Sequence, residues 1–191
     1  MTRLDRICGV DEAGRGPWAG PVMAGAVILD PDRPIPGLTD SKKLSEARRQ
    51  YFELEIKTKA LSWAIGVATP EEIDERNIRE ATFLAMQRAI AGLTLQPTQI
   101  RVDGNAIPSD LPAPAVAIIK GDLKEPSISA ASILAKTARD RDLQACETRY
   151  PGYGFARHKG YGTKAHSDAL SRLGPCKIHR KSFAPVRAYL V

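Results

Sequence analysis

Apolar residues along this chain fall into two rhythms. Ile7–Val10, Val22–Leu29 and Leu61–Ala68 are continuous runs of strand length. Leu44, Ala47, Tyr51 and Leu54 recur at helical spacing instead, which predicts an amphipathic helix over roughly 45–59. Pro31, Pro34, Pro36 and Gly37 separate that helix from the strand before it. Thr69-Pro70-Glu71-Glu72 is a helix start, with Thr as cap, Pro first and Glu third. The helix it opens is expected to run to Ala91 and end at Gly92. Gln99–Val102 and Val116–Ile119 read as two more short strands, and Ser127–Thr148 as a long helix rich in Ala near its start. After Pro151-Gly152-Tyr153-Gly154 the chain turns basic and Gly-rich, then helical over 164–172. Strands with intervening helices predict an α/β layered domain, and the hairpin-like spacing of the first three strands predicts a mixed sheet. No linker interrupts the pattern. A single domain over 1–191 is expected, with a core over roughly 1–150 and a basic helical cap over 151–191.

The strand ends carry the chemistry. The first run stops at Asp11-Glu12, followed by Ala13-Gly14-Arg15-Gly16. Ile100-Arg101-Val102-Asp103-Gly104 ends in an acid, and Ile118-Ile119-Lys120-Gly121-Asp122 has one just past its end. Sites in open α/β sheets form beyond the carboxyl ends of strands. If these strands are neighbours, Asp11, Glu12, Asp103 and Asp122 converge. Adjacent strand residues point to opposite faces, so Asp11 and Glu12 share a site only if the strand bends at Ala13-Gly14. Clustered carboxylates repel unless a cation neutralises them, and oxygen donors without His or Cys suit magnesium or manganese. Two such ions could drive an in-line phosphoryl displacement. Any one of these acids could instead cap a turn; three strand ends together favour the metal.

Charge and composition narrow the partner. The 191 residues carry a formal net charge of +6, which favours polyanions without choosing nucleic acid over another acidic surface. Three scattered cysteines, Cys8, Cys146 and Cys176, form no disulfide framework or zinc ribbon and fit a reducing compartment as small buried side chains. No leader-like or membrane-length apolar run is present, so a cytoplasmic protein without membrane contact is expected.

Cations and one aromatic supply candidate substrate contacts. Ser41, Lys42 and Lys43 sit where a helix begins, and Ser132 and Lys136 lie one helical turn apart. Both groups read equally well as phosphate contacts or as solvated helix surface. Tyr161, between glycines amid Arg157-His158-Lys159 and Lys164, is poorly placed for a core and well placed against a sugar or base. His158, His166 and His179 lack metal-ligand spacing, and helix, turn or phosphate contacts are expected of them. Trp18 and Trp63 read as packing residues.

These segments, taken in order, resemble bacterial ribonuclease HII over nearly the whole chain. The motifs are Asp11–Pro17, Asp40–Leu44, Val102–Asn105, Lys120–Asp122, Ser129–Lys136, Lys159–His166, Gly174–Cys176, His179-Arg180 and Ser182–Pro185. The resemblance implies an RNase H-like fold, with a mixed five-stranded sheet flanked by helices and a helical C-terminal extension. It implies hydrolysis of the RNA strand of RNA–DNA hybrids, and cutting 5′ of single ribonucleotides in duplex DNA to leave 3′-hydroxyl and 5′-phosphate ends, the chemistry of ribonucleotide excision repair. By the same resemblance Asp11, Glu12, Asp103 and Asp122 hold Mn2+ or Mg2+, Gly14-Arg15-Gly16 senses the ribonucleotide, and Tyr161 meets the sugar at the RNA-to-DNA junction. Asn77 is a further candidate backbone contact. The Gly-Arg-Gly form points away from the sister ribonuclease HIII, as does the lack of an extra N-terminal domain. Trp18 stands where a smaller aliphatic is usual in the family, which bears on how the loop packs. A monomer is expected, and no clamp-binding tail is evident after Tyr189. The alternatives are another RNase H-like nuclease of junction-resolvase or integrase type, and a non-catalytic nucleic-acid binder.

Overall fold

In a computed structural model, which describes residues 5–190, five strands make one sheet. In chain order the elements are β1 (Ile7–Ala13), β2 (Val22–Ile28), α1 (Glu46–Lys59), β3 (Ser62–Ala68), α2 (Pro70–Arg76), α3 (Ile78–Ala91), β4 (Gln99–Asp103) and β5 (Ala115–Ile118). Four helices complete the chain: α4 (Pro126–Arg149), α5 (Phe155–His158), α6 (Lys164–Leu173) and α7 (Ala184–Arg187). The sheet order is β3-β2-β1-β4-β5. β1 and β2 pair antiparallel across a short connection, β3 returns antiparallel to β2 after α1, and β4 and β5 join parallel to β1. The mixed five-stranded sheet read from the spacing is therefore present.

Strand alternation sorts the core into two layers. Cys8, Val10, Ile100 and Val102 pack with Ala81, Ala85 and Met86 of α3 on one face. Val27 packs with Phe52 and Ile56 of α1 and with Ala131 and Leu134 of α4 on the other. Two glycines let α4 lie directly on the central strands. A Cβ on Gly9 would come within 2.1 Å of the Ser127 backbone, and one on Gly25 within 2.4 Å of the Ala131 carbonyl oxygen. A third cluster, Ala19, Leu143, Cys146, Tyr153, Phe155, Ala169 and Leu170, ties the C-terminal segment to the far half of α4. All three cysteines are free; Cys8 and Cys146 are buried and Cys176 is partly so.

One element differs from its expectation. The helix expected over 70–91 is two helices, broken at Asn77, whose φ is +72°. The Thr69/Glu72 capping box forms as read. Asn77 then ends α2 and caps α3, its Oδ1 accepting from the amides of Arg79 and Glu80 at 3.0 and 3.2 Å. Asn favours caps and tolerates positive φ better than most residues. The break also lets Asp74 of α2 accept from Lys181 N–H, Ser182 N–H and the Ser182 hydroxyl, pinning the C-terminal segment to the core.

Candidate active site

β1 and β4 lie side by side and parallel, with Val10 opposite Val102, so their acids emerge at one end of the sheet. By the same alternation that turns Val10 toward α3, Asp11 turns toward α4. It is only 6 % exposed. Asp122 enters from the short turn Gly121–Leu123 that follows β5. That turn is tied to Asp103, whose Oδ1 accepts from Gly121 N–H at 2.7 Å. Carboxylate oxygens of Asp11, Asp103 and Asp122 all lie within 4.8 Å of one another.

Glu12 does not join that cluster. β1 continues as regular strand through Ala13, paired with Met23, so the bend expected at its end is absent. Glu12 accordingly turns to the α3 face. There it lines a cavity of about 440 Å³ with Arg79, Phe83 and Asp103. Its Oε1 accepts from Arg15 at 3.4 Å.

The electrostatics mark a site built for a cation. Burial first, then the charges of Glu12 and Asp103, holds the Asp11 carboxyl well above the usual carboxylate range. Asp122 is raised by burial and by Asp103 and Asp40, against Lys42. Glu12 is raised by burial, with Arg15 pulling it down. Three hard oxygen donors that disfavour one another's charge suit a divalent ion of the magnesium or manganese type.

Most of the candidate substrate residues meet in one cleft beside these acids. Gly14, Arg15, Gly16, Ser41, Lys42, Ser132, Lys136 and Tyr161 line a cavity of about 330 Å³, together with Glu12 and Arg139. Ser41 and Ser132, read from distant segments, touch through their hydroxyls at 3.0 Å. Lys136 Nζ donates to Asp140 at 2.7 Å. Gly16 faces Tyr161, whose ring would lie 3.9 Å from a Cβ there. Lys43 is exposed and outside the cleft lining, and so is Asn77, whose carbonyl oxygen is spent on the α3 cap.

Two arginines missed by the sequence reading as cleft-builders stand behind the loop. Arg180, fully buried, donates to the carbonyls of Gly14 (2.5 Å), Arg15 (2.9 Å), Gly20 (2.9 Å) and Pro21 (3.2 Å). Arg139 donates to the carbonyls of Pro21, Lys159 and Ala19, each at 3.0 Å. Gly14 has a φ of +98°, and a Cβ on it would fall 2.1 Å from Arg139 Nε, so only glycine fits. Trp18 packs as expected, against His166 at 5.4 Å between ring centroids and over Gly162, where a Cβ would strike its indole. Local pattern carried no signal for Arg139. Within Ala138-Arg139-Asp140-Arg141-Asp142 it reads as one more charge on a solvated helix.

Comparison with known proteins places the chain among characterised relatives. A protein-family model for ribonuclease HII matches residues 8–186. The chain is 61% identical, over an alignment of 204 positions, to a ribonuclease HII from Hyphomonas neptunium, covering 100% of this chain and 99% of that protein. The crystal structure of a ribonuclease H2 from Pyrococcus horikoshii superposes with a TM-score of 0.81 at 27% identity, covering 96% of both chains. The Archaeoglobus fulgidus RNase HII solved in complex with PCNA gives 0.76 at 29% identity, covering 92% of this chain and 93% of that one.

Proposed function

The chain belongs to the ribonuclease HII family and is a ribonuclease H, and from this we propose how its own residues carry the reaction. The substrate is the RNA strand of an RNA–DNA hybrid, or a single ribonucleotide within duplex DNA cut on its 5′ side. The products carry 3′-hydroxyl and 5′-phosphate ends. A resolvase or integrase reading, and a purely binding role, give way to family membership. The observation that carries the rest is the meeting of Asp11, Asp103 and Asp122 within 4.8 Å beside a cleft walled by the Gly14–Gly16 loop and Tyr161.

Asp11, Asp103 and Asp122 would hold the divalent ions, Mg2+ or Mn2+, with Glu12 beside Asp103 at the rim. When bound, such ions supply Lewis acidity, making water nucleophilic at neutral pH and offsetting charge on the departing 3′ oxygen. The protein's part is placement. Arg180 holds the carbonyls of Gly14 and Arg15 from behind, and the loop lines the cleft. Amides held on a rigid turn are suited to the ribose 2′-hydroxyl and the adjacent phosphate, and the 2′-hydroxyl is what separates RNA from DNA. Lys42 and Lys136 supply positive charge along the same cleft, so binding weakens as salt rises. Tyr161 packs on the sugar at the junction. Residues 1–191 act as one unit, with 151–191 as the cap that delivers Tyr161.

No described helix is long and apolar enough to cross a membrane. A monomer in the cytoplasm, serving ribonucleotide excision repair, is the setting proposed; three free cysteines fit a reducing compartment and the net charge of +6 fits a nucleic-acid substrate. The PCNA complex of the Archaeoglobus protein leaves the expected absence of a clamp partner without support.

The test is cleavage of a labelled duplex holding one ribonucleotide, with and without Mg2+ or Mn2+. Cutting 5′ of that nucleotide, only with metal and only while the 2′-hydroxyl is present, is expected. Undiminished cutting of the all-deoxy duplex would overturn the proposal.

A further inference from the structure

Tyr161 is exposed on a segment rich in glycine, and its main chain is anchored by a buried chain of imidazoles. His166 and His179 are 0 % and 1 % exposed. Their Nε2 atoms lie 3.0 Å apart, so one must donate and the other accept. Both ends of the pair decide which. His166 Nδ1 lies 3.0 Å from the Tyr161 carbonyl oxygen, which can only accept, so Nδ1 carries the proton. His179 Nδ1 lies 2.9 Å from the Cys176 amide, which can only donate, so that Nδ1 is bare and Nε2 carries the proton. The Cys176 carbonyl, at 3.3 Å from the same nitrogen, is the longer and weaker alternative. The two ends agree, and the bonds run in one direction, from Cys176 N–H through His179 and His166 to the Tyr161 carbonyl.

A third ring braces the chain. His158 stacks on His166 at 4.4 Å between centroids, 12° from parallel. Its Nε2 lies 2.8 Å from the Tyr153 carbonyl, and its Nδ1 accepts from Gly160 N–H at 3.1 Å. Gly160 and Tyr161 are thus held by neighbouring imidazoles, one at an amide and one at a carbonyl. Burial pushes His166 and His179 down to about 4, so both stay neutral near pH 7 and the direction of the chain is preserved.

We infer that His166, backed by His179, is a positioning residue for ribonucleotide recognition: its Nδ1–H, together with the Thr163 amide at 2.8 Å, fixes the Tyr161 carbonyl and thereby sets the Tyr161 ring against the Gly14–Gly16 loop. This rests on the proposed role of Tyr161 at the sugar. A histidine serving only as core filling would need no defined tautomer and would be indifferent to which nitrogen is replaced.

Two substitutions separate these cases, because each removes one nitrogen of His166 and imitates the other. His166→Asn places an amide near Nδ1 and keeps the bond to Tyr161, losing the one to His179. His166→Gln places its amide near Nε2 and does the reverse. Each loses one buried hydrogen bond, so their thermal melts serve as matched controls. The readout is the ratio of kcat/KM on an embedded ribonucleotide to kcat/KM on a long RNA–DNA hybrid, measured beside Tyr161→Ala. We expect Tyr161→Ala to lower that ratio at least ~10-fold, His166→Gln to lower it ~5-fold or more, and His166→Asn to stay within about 2-fold of the native value. Equal ratios for the Asn and Gln variants, with Tyr161→Ala impaired, overturn the inference alone. An unchanged ratio in Tyr161→Ala overturns the role of Tyr161 itself. Should either histidine variant fail to fold, nitrogen-15 imidazole spectra of the unaltered protein at pH 7 decide. The Nδ1–H form of His166 and the Nε2–H form of His179 are expected, and the opposite pair overturns the inference.

Discussion

Removing one charge from the acidic cluster should stabilise the metal-free protein while abolishing its activity. The perturbation is Asp11→Asn, which keeps an oxygen able to accept the Glu12 amide now held at 2.7 Å. Oxygens of Asp11, Asp103 and Asp122 lie within 4.8 Å of one another. At that separation two like charges repel by about 1 kcal/mol in water and about 3.5 kcal/mol at the effective dielectric near a protein surface. Relief of one such pair therefore predicts a gain of roughly 1–3 kcal/mol, or a rise in Tm of about 2–12 °C for a chain of this size. The gain has a pH signature. Burial and its acidic neighbours raise the Asp11 carboxyl above its unfolded value, so the folded state holds that proton to higher pH. The penalty is absent below the unfolded value near 4 and grows as pH rises through the folded one. The stabilisation by Asn should accordingly be larger at pH 8 than at pH 6 and shrink toward pH 4. Added Mn2+ should raise the native protein's Tm and do little for the variant, closing or inverting the gap. Thermal melts in chelator and in Mn2+, across pH 4–8, test this. A variant that melts below the native protein in chelator at neutral pH would refute the argument from repulsion.

Three other outcomes follow from the same geometry. Tyr161→Phe should retain most cutting at an isolated ribonucleotide while Tyr161→Ala loses it, because ring packing outweighs the hydroxyl; equal losses in a single-turnover assay would remove that role. Arg180→Lys cannot span the carbonyls of Gly14, Arg15, Gly20 and Pro21 at once, and should cost about 2–4 kcal/mol in urea unfolding while slowing cleavage; native-like values for both would show that the loop holds itself. Acid should weaken the fold through His166 and His179, which stay neutral down to about 4 when folded yet protonate near 6.5 when unfolded. Their share of stability is intact above 6.5 and lost as pH falls toward 4, so unfolding free energies in a His166→Asn, His179→Gln double variant should depend less on pH across that window.

What could be read from the sequence was whatever one segment decides by itself. Apolar runs of strand length placed every strand, the spacing of apolar residues placed α1 and the Ala-rich stretch placed α4, and three acids at strand ends pointed to a metal site. The Asn77 break was written locally too. Asn77 and Glu80 repeat the capping pattern of Thr69 and Glu72, but continuous helical character around them masked it. The bend proposed to bring Glu12 beside Asp11 failed for a tertiary reason: pairing with β2 continues to Ala13 and holds the strand straight. Arg139, Arg180 and the imidazole chain were invisible for the same reason. Most of the arginines' partners are carbonyls more than a hundred residues away, the imidazoles meet across the turn between α6 and the C-terminal segment, and no local rhythm distinguishes a buried arginine from a solvated one.

The placement of those two arginines bears on how the loop discriminates. A buried guanidinium is costly to desolvate and is usually neutralised by a carboxylate. Arg139 and Arg180, 1 % and 0 % exposed, form no ion pair with a carboxylate among the described residues, and each donates to carbonyls alone. Burial, and the charge of Arg139, push Arg180 down only to about 9, so it remains a cation at pH 7. An apolar pair would fill this space more cheaply but would leave six carbonyls, those of residues 14, 15, 19, 20, 21 and 159, without these donors. The same guanidiniums sit beneath the loop: Arg180 holds the Gly14 and Arg15 carbonyls, and Arg139 lies against Gly14 and lines the cleft. They therefore do two things that one apolar plug could not. They fix the main chain proposed to read the ribose, and they add positive charge beneath the cleft proposed to take the adjacent phosphate. The Gly14–Gly16 loop is short, but it is held from behind by two side chains drawn from α4 and from the C-terminal segment. On that proposal, recognition of one hydroxyl is a property of the whole fold rather than of residues 14–16 alone.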